Sequence, residues 1–250
     1  VFTKYPCGGY HKGGEAKKVL RRVMAYDRTA MLKLLRPVMT RILTPLGRAL
    51  VGRGIGPNAV TAVGTLGTVV SALLFFPLGL LTAGALVITV FVLFDLLDGV
   101  VARLGGKGGS TWGAFLDSTF DRVADAAIFA GLILYFIAAD DVLMAAVGLL
   151  CLIAGAIVSY AKARAEGLGL TADVGLAERP ERLVVVLVAA FLAGLGVPYV
   201  LPAGMWLLAV ASVITVGQRV MAVHRQTRDT PGRPAGEENQ ETARDEMGER

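Results

Sequence analysis

Four aspartates stand close together in residues 95–121, which read DLLDGVVARLGGKGGSTWGAFLDSTFD. Asp95 and Asp98 are three residues apart, so on a helix both carboxylates share one face. Gly113, Asp117 and Asp121 recur every fourth residue and form a second stripe. The glycines 105, 106, 108 and 109 make a turn that lets two such helices lie antiparallel. Four converging carboxylates repel one another strongly, and a divalent cation is the simplest remedy. Hard oxygen ligands point to Mg²⁺ or Mn²⁺ rather than zinc.

These acids sit at the ends of long apolar runs. One aspartate at a membrane interface is an ordinary solvated helix end. Four on two matched stripes are not, since each costs roughly 2.5–3.5 kcal/mol at a bilayer centre and less near its edge.

The elements that must hold the acids follow from composition. The 250 residues are 54% hydrophobic and only 18% charged, with a mean hydropathy of +0.61. The apolar residues gather in runs of membrane-spanning length, about 20 residues each. The spacing predicts an all-α integral membrane protein with six transmembrane helices, near 58–78, 82–103, 112–137, 141–163, 181–197 and 200–222. The breakers between them are Pro77 with Gly79, the glycines of 105–109, Asp140 with Asp141, Gly167 with Gly169, and Pro198 with Pro202. Residues 31–56 place Leu32, Leu34, Leu35, Val38, Met39, Ile42 and Leu43 at helical spacing among Lys33, Arg36, Arg41 and Arg48. They are expected to form a basic amphipathic juxtamembrane helix. Residues 1–30 form a polar leader, and 226–250 a disordered tail rich in Pro, Gly and Glu. The transmembrane domain is thus 57–225.

Charge orients the layout. The turns around 77–81, 138–142 and 198–202 contain no Lys or Arg, whereas the opposite side carries Arg103, Lys107, Lys162, Arg164, Arg179, Arg182 and Arg219. This places both termini and the acids on the cytoplasmic face of the inner (plasma) membrane. The cations bracket the apolar runs and form no groove with interleaved aromatics, so no nucleic-acid partner is expected. Cys7 and Cys151 lie in unlike surroundings, and no disulfide framework is implied. Asp125 continues the Asp117–Asp121 stripe by one turn and is expected to pair with an arginine such as Arg122. Ser159, Tyr160, Lys162, Arg164, Arg182 and Arg219 gather near the same membrane face as the acids. Several cations beside an anionic centre favour a substrate that itself bears phosphate.

The pattern D-x2-D-G-x2-A-R-x9-G-x3-D-x3-D is met by Asp95, Asp98, Gly99, Ala102, Arg103, Gly113, Asp117 and Asp121. It resembles the signature of the CDP-alcohol phosphotransferases, a family of integral-membrane enzymes. The resemblance implies that an alcohol attacks the lipid-bearing phosphate of a CDP-linked lipid and CMP leaves. It implies two Mg²⁺ ions per site, replaceable by Mn²⁺, with Asp95 and Asp117 on both, Asp98 on one and Asp121 on the other. Asp121 would also take the proton of the alcohol. Contacts to the CDP-lipid would come from Asn58, Ala59, Val60, Thr61, Gly99, Ala102, Arg103, Ser110 and Gly113. Asn58 departs from some relatives, which carry Asp there.

The stretches SYAKARAEG (159–167), AERPERL (177–183) and AVASVITVGQR (209–219) resemble one branch of that family, the bacterial phosphatidylinositol-phosphate synthases. That likeness covers Leu32 to Arg225. It implies CDP-diacylglycerol and inositol 1-phosphate as substrates, an acceptor phosphate held by Lys162, Arg182 and Arg219, and a homodimer. Two rival readings remain at this point. One is the same chemistry with glycerol 3-phosphate, giving phosphatidylglycerol phosphate. The other is a cation transporter using the acids as an ion path, although the acids lie toward one face and no inverted repeat is present.

Overall fold

A computed structural model describes residues 44–54, 56–104 and 110–229; of these, the side chains of 94–100, 102–104 and 229 lie outside the description. The expected leader 1–30, the first part of the juxtamembrane helix, the tail beyond 229, and the side chains of Asp95, Asp98, Gly99, Ala102 and Arg103 therefore fall outside it. The chain divides into two compact units, Val1–Val60 with Asp95–Ser110, and Thr61–Phe94 with Thr111–Arg250.

Every regular element among the described residues is helical. In the first unit, residues 44–52 form α1. It stops where Arg53 and Gly54 donate back to the Leu50 and Val51 carbonyls, with Gly54 in the left-handed region at φ 75°. There a side chain would be strained. α2, Pro57–Phe75, opens on a proline, which lacks the N–H that a first turn leaves unpaired.

The remaining helices are α3 (Leu81–Leu104), α4 (Thr111–Ala138), α5 (Val142–Glu166), α6 (Arg179–Gly194) and α7 (Val200–Asp229). Helices α2 to α7 thus occupy the six expected positions. Three are long and apolar enough to cross a membrane, namely Pro57–Phe75, Val142–Glu166 and Val200–Arg228, with a shorter apolar helical stretch at Leu81–Leu93. α4 has 28 residues, but it carries Asp117, Asp121, Arg122 and Asp125. α6 has 16 residues, about 24 Å at 1.5 Å per residue, short of a ~30 Å hydrocarbon core.

In the second unit α5 packs against α4 and α7, and α6 against α7. Phe76, Ile88, Ile128, Leu132, Val186, Leu201 and Met205 fill the centre. Small residues set the closeness of approach. A Cβ on Gly131 of α4 would collide with the Ala72 carbonyl of α2, and one on Gly194 would strike Thr82. Outward faces are also apolar: Leu66, Val70 and Leu74 on α2, Val184 and Val188 on α6, and Val210 and Val213 on α7 are all exposed. Large apolar side chains on every outer face mark a membrane protein.

Between α5 and α6, residues 170–178 form no regular element and lie along α7 as a strap. Thr171 and Gln226 are tied by three hydrogen bonds, from Thr171 N and Oγ1 to Gln226 Oε1 (3.0 and 3.1 Å) and from Gln226 Nε2 to the Thr171 carbonyl (2.6 Å). At the other end Leu176 N and Ala177 N both donate to Thr215 Oγ1 (3.0 and 3.1 Å). Gly175 lies so close to α7 that a Cβ would meet the Thr215 methyl. α5 begins at Asp141, whose side chain accepts from Met144 N at 3.0 Å and satisfies a first-turn donor.

Candidate active site

The acidic stripe of α4 runs from water into the bundle. Asp117 is exposed, the Asp121 side chain is 15% exposed, and that of Asp125 is 10% exposed. Successive members lie about 6 Å apart along the axis.

Two arginines from the first turn of α6 face this stripe. Arg179 and Arg182 are three residues apart and share a helix face. Arg179 Nη2 lies 2.7 Å from Asp121 Oδ1, and its Nε donates to Asp125 Oδ1 at 3.3 Å. Arg182 Nη2 donates to Asp125 Oδ2 at 2.7 Å. The result is an alternating chain, Asp121–Arg179–Asp125–Arg182. Asp125 pairs with arginine as expected, but its partners are Arg179 and Arg182 and not Arg122. Arg122 lies on the flank of α4, half exposed, and reaches Asp121 at 3.7 Å instead. α6 presents two guanidinium groups directly to Asp125, and they take it.

Arg182 is 3% exposed. Its Nη1 donates to the Gly155 carbonyl at a long 3.5 Å, and its buried Nε has no hydrogen-bond partner among the described residues. A Cβ on Gly155 would come 3.2 Å from the guanidinium carbon, so α5 needs a minimal side chain there to seat the group. Beside it lies a cavity of about 60 Å³, lined by Arg182, Asp125, Gly155, Cys151 and Phe129 among others.

The other expected acceptor cations are also engaged. Arg219 of α7 is 3% exposed; its Nη1 donates to the Val158 carbonyl, its Nε to the Val174 carbonyl at 3.0 Å, and its Nη2 to Glu178 at 3.4 Å. Glu178 is the residue before α6 but makes no capping bond there; its carboxylate turns to Arg219 instead. Lys162 lies 2.6 Å from Asp173 and 3.9 Å from Glu166. That ammonium holds the Asp173 carboxyl below its ordinary range, chiefly through the hydrogen bond. Ser159 donates to the Gly155 carbonyl (3.1 Å), while Tyr160 and Arg164 are exposed.

Of the expected nucleotide contacts, Asn58, Ala59 and Ser110 are exposed, Val60 and Thr61 are buried, and Gly113 is half-buried at the start of the acidic stripe. The carboxylates described on this stripe are the right donors for a hard divalent ion. Among the described residues no cluster of three or more His, Cys, Asp or Glu occurs, and the side chains of the first acidic pair lie outside that set.

Sequence reasoning named Arg179 only as one cation among several, and missed Gly155, Glu178 and Asp173. For Arg179 the signal was its i, i+3 spacing to Arg182. For Gly155 there was none, because its role depends on a guanidinium 27 residues away in sequence.

Comparison with known proteins agrees with this picture. Residues 55–218 match the family model described as CDP-alcohol phosphatidyltransferase. A phosphatidylinositol phosphate synthase of Streptomyces avermitilis is 47% identical over 217 residues, covering 83% of this chain and 88% of its own. The corresponding synthase of Mycobacterium tuberculosis is 48% identical over 195 residues, covering 76% and 89%. A crystal structure of the M. tuberculosis synthase with CDP-DAG bound superposes with a TM-score of 0.70 at 48% identity, over 73% of this chain and 94% of that one. Another, in complex with manganese and citrate, gives 0.69 at 48% identity over 72% and 88%.

Proposed function

The chain belongs to the CDP-alcohol phosphatidyltransferase family, and from that premise we propose that it transfers the phosphatidyl group of CDP-diacylglycerol to inositol 1-phosphate, forming phosphatidylinositol phosphate and CMP. One observation carries the reading. Asp121, the last acid of the family signature, lies in the same ion-pair chain as Arg182, a cation suited to an acceptor phosphate.

The division of labour follows from the side chains. Asp121 accepts the proton of the attacking hydroxyl as the new bond to phosphorus forms. Arg182 carries five N–H donors. Asp125 takes one at short range and Gly155 another at a long distance, and among the described residues Nε has no partner, so donors remain for a phosphate. Lys162 and Arg219 complete the acceptor set, with Ser159, Tyr160 and Arg164 at its edge. Lys162 must exchange Asp173 for the incoming phosphate. Asn58–Thr61, Gly99, Ala102, Arg103, Ser110 and Gly113 are assigned to the CDP-lipid. Asp95, Asp98, Asp117 and Asp121 would hold two Mg²⁺ or Mn²⁺ ions. Bound there, the ions neutralise the diphosphate and polarise its phosphoryl oxygens.

In this reading all six helices α2–α7 cross the inner membrane, after a leader (1–30) and a basic amphipathic helix within 31–56 lying on its cytoplasmic surface. Both termini and the site are cytoplasmic, and the enzyme is a homodimer; the tail expected from 226 starts no earlier than 230, because α7 runs to Asp229. Support for the orientation is the absence of Lys and Arg from 77–81, 138–142 and 198–202. The test supplies purified protein in detergent with CDP-diacylglycerol, Mg²⁺ and either inositol 1-phosphate or glycerol 3-phosphate, and follows CMP. Release with inositol 1-phosphate is expected. Release with glycerol 3-phosphate alone, or metal flux into vesicles without any CMP, would replace this reading with one of its rivals.

A further inference from the structure

Asp125 is a buried carboxylate with both oxygens occupied by arginines that have other work. Its Oδ2 takes Arg182 at 2.7 Å and its Oδ1 takes Arg179 at 3.3 Å. Arg182 lies between this carboxylate and Gly155, where an added Cβ would come 3.2 Å from the guanidinium carbon. Arg179 reaches on to Asp121 at 2.7 Å. One carboxylate therefore fixes the plane of the guanidinium that would meet the acceptor's phosphate, and also the arginine that holds the proton-accepting acid. Each arginine makes a single charge-assisted hydrogen bond to its own oxygen of this carboxylate, and such bonds set direction as well as charge.

We infer that Asp125 is a positioning residue for the phosphorylated acceptor, acting through Arg182 and Arg179 and touching no substrate itself. The inference rests on the acceptor assignment proposed above. A purely structural ion pair would stabilise the bundle without favouring one substrate over the other. A positioning role raises the acceptor KM through Arg182 and lowers turnover through Arg179 and Asp121, without moving the CDP-lipid KM, because a misplacement of about 1 Å in a positioned group costs up to about a hundredfold.

The experiment compares Asp125→Asn, Asp125→Glu and Arg182→Gln in the full chain, purified in detergent. It measures KM for inositol 1-phosphate, KM for CDP-diacylglycerol, and the rise in melting temperature caused by inositol 1-phosphate alone. Asp125→Asn is expected to raise the acceptor KM about tenfold or more, keep the CDP-lipid KM within twofold, and abolish the thermal protection. Asp125→Glu keeps the charge but pushes Arg182 outward, and should show the same selective loss. It decides the question if Asp125→Asn does not accumulate in folded form. A selective rise for Arg182→Gln with none for the folded Asp125 variants overturns the inference and leaves the acceptor assignment standing. Equal rises in both KM values for the Asp125 variants overturn it as well. If Arg182→Gln itself leaves the acceptor KM unchanged, the acceptor assignment fails and the inference falls with it.

Discussion

Replacing Asp121 with asparagine separates the catalytic from the structural share of that carboxylate. The substitution preserves volume and removes one negative charge. Asp121 is partly exposed, and its partner Arg179 also donates to Asp125 at 3.3 Å. Losing the charge therefore leaves no buried cation stranded. A hydrogen bond to a charged group contributes about 1.5–3 kcal/mol when well buried. Exposure and the surviving Asp125 contact bring the expected stability loss down to ~1 kcal/mol, within the range for partly exposed pairs. The loss of a positioned proton acceptor is larger, about 10²–10⁴ in rate, which is ~2.7–5.5 kcal/mol on the barrier. The assay is CMP release at saturating CDP-diacylglycerol, inositol 1-phosphate and Mg²⁺, with a thermal melt of the same sample. Turnover should fall at least a hundredfold while the melt shifts by a few degrees. A folded Asp121→Asn protein within threefold of the parent rate would refute the assignment of Asp121 as proton acceptor.

Three further outcomes follow from other parts of the molecule. Gly131→Ala should destabilise the bundle by about 1–3 kcal/mol, the usual cost of overpacking, because the new methyl meets the Ala72 carbonyl; an unchanged melting temperature would contradict that contact. Asp173 has its pKa held below the ordinary 3.8 by Lys162. Its contribution to docking the strap is therefore complete above about pH 4 and is lost only as pH falls through the lowered value. Hydrogen exchange across 170–178 should stay slow from neutral pH down to that point, and release between pH 7 and 5 would show another group in control. Excess chelator should abolish CMP release and added Mg²⁺ or Mn²⁺ restore it, whereas turnover persisting in chelator would rule out the carboxylate-held ions.

The helices were legible because apolar runs and their breakers are local features. Pro57, Gly79 and the Asp140–Asp141 pair mark ends that can be read without knowing what packs nearby. The stripe Gly113–Asp117–Asp121 was legible for the same reason, since helical periodicity alone brings its members together. What escaped was set by distance along the chain. Asp125 met Arg182, 57 residues on, rather than Arg122, three residues back, because burial at the α4–α6 contact outweighs proximity in sequence. Gly155 reads as one more small residue in an apolar helix until a guanidinium lies against it. Thr215 and Gln226 look like polar interruptions of α7, and only the strap gives them partners. The membrane crossings were less fully legible, as α4 carries its charges inside a long helix and α6 is short.

The strap also works as a gauge of chain length. Its anchors on α7, Thr215 and Gln226, are eleven residues apart, about 16 Å along a helix. The six peptide steps from Thr171 to Ala177 reach at most ~20 Å when fully extended. Little slack remains: deleting two residues leaves about 13 Å of reach, so the bonds to Gln226 and Thr215 would hold only with those side chains stretched along the helix, and an insertion would bulge away from α7 and draw Val174 off Arg219. Surface connections usually tolerate changes in length. This one should hold a fixed residue count wherever the same two anchors persist, a regularity that genome sequences alone can check.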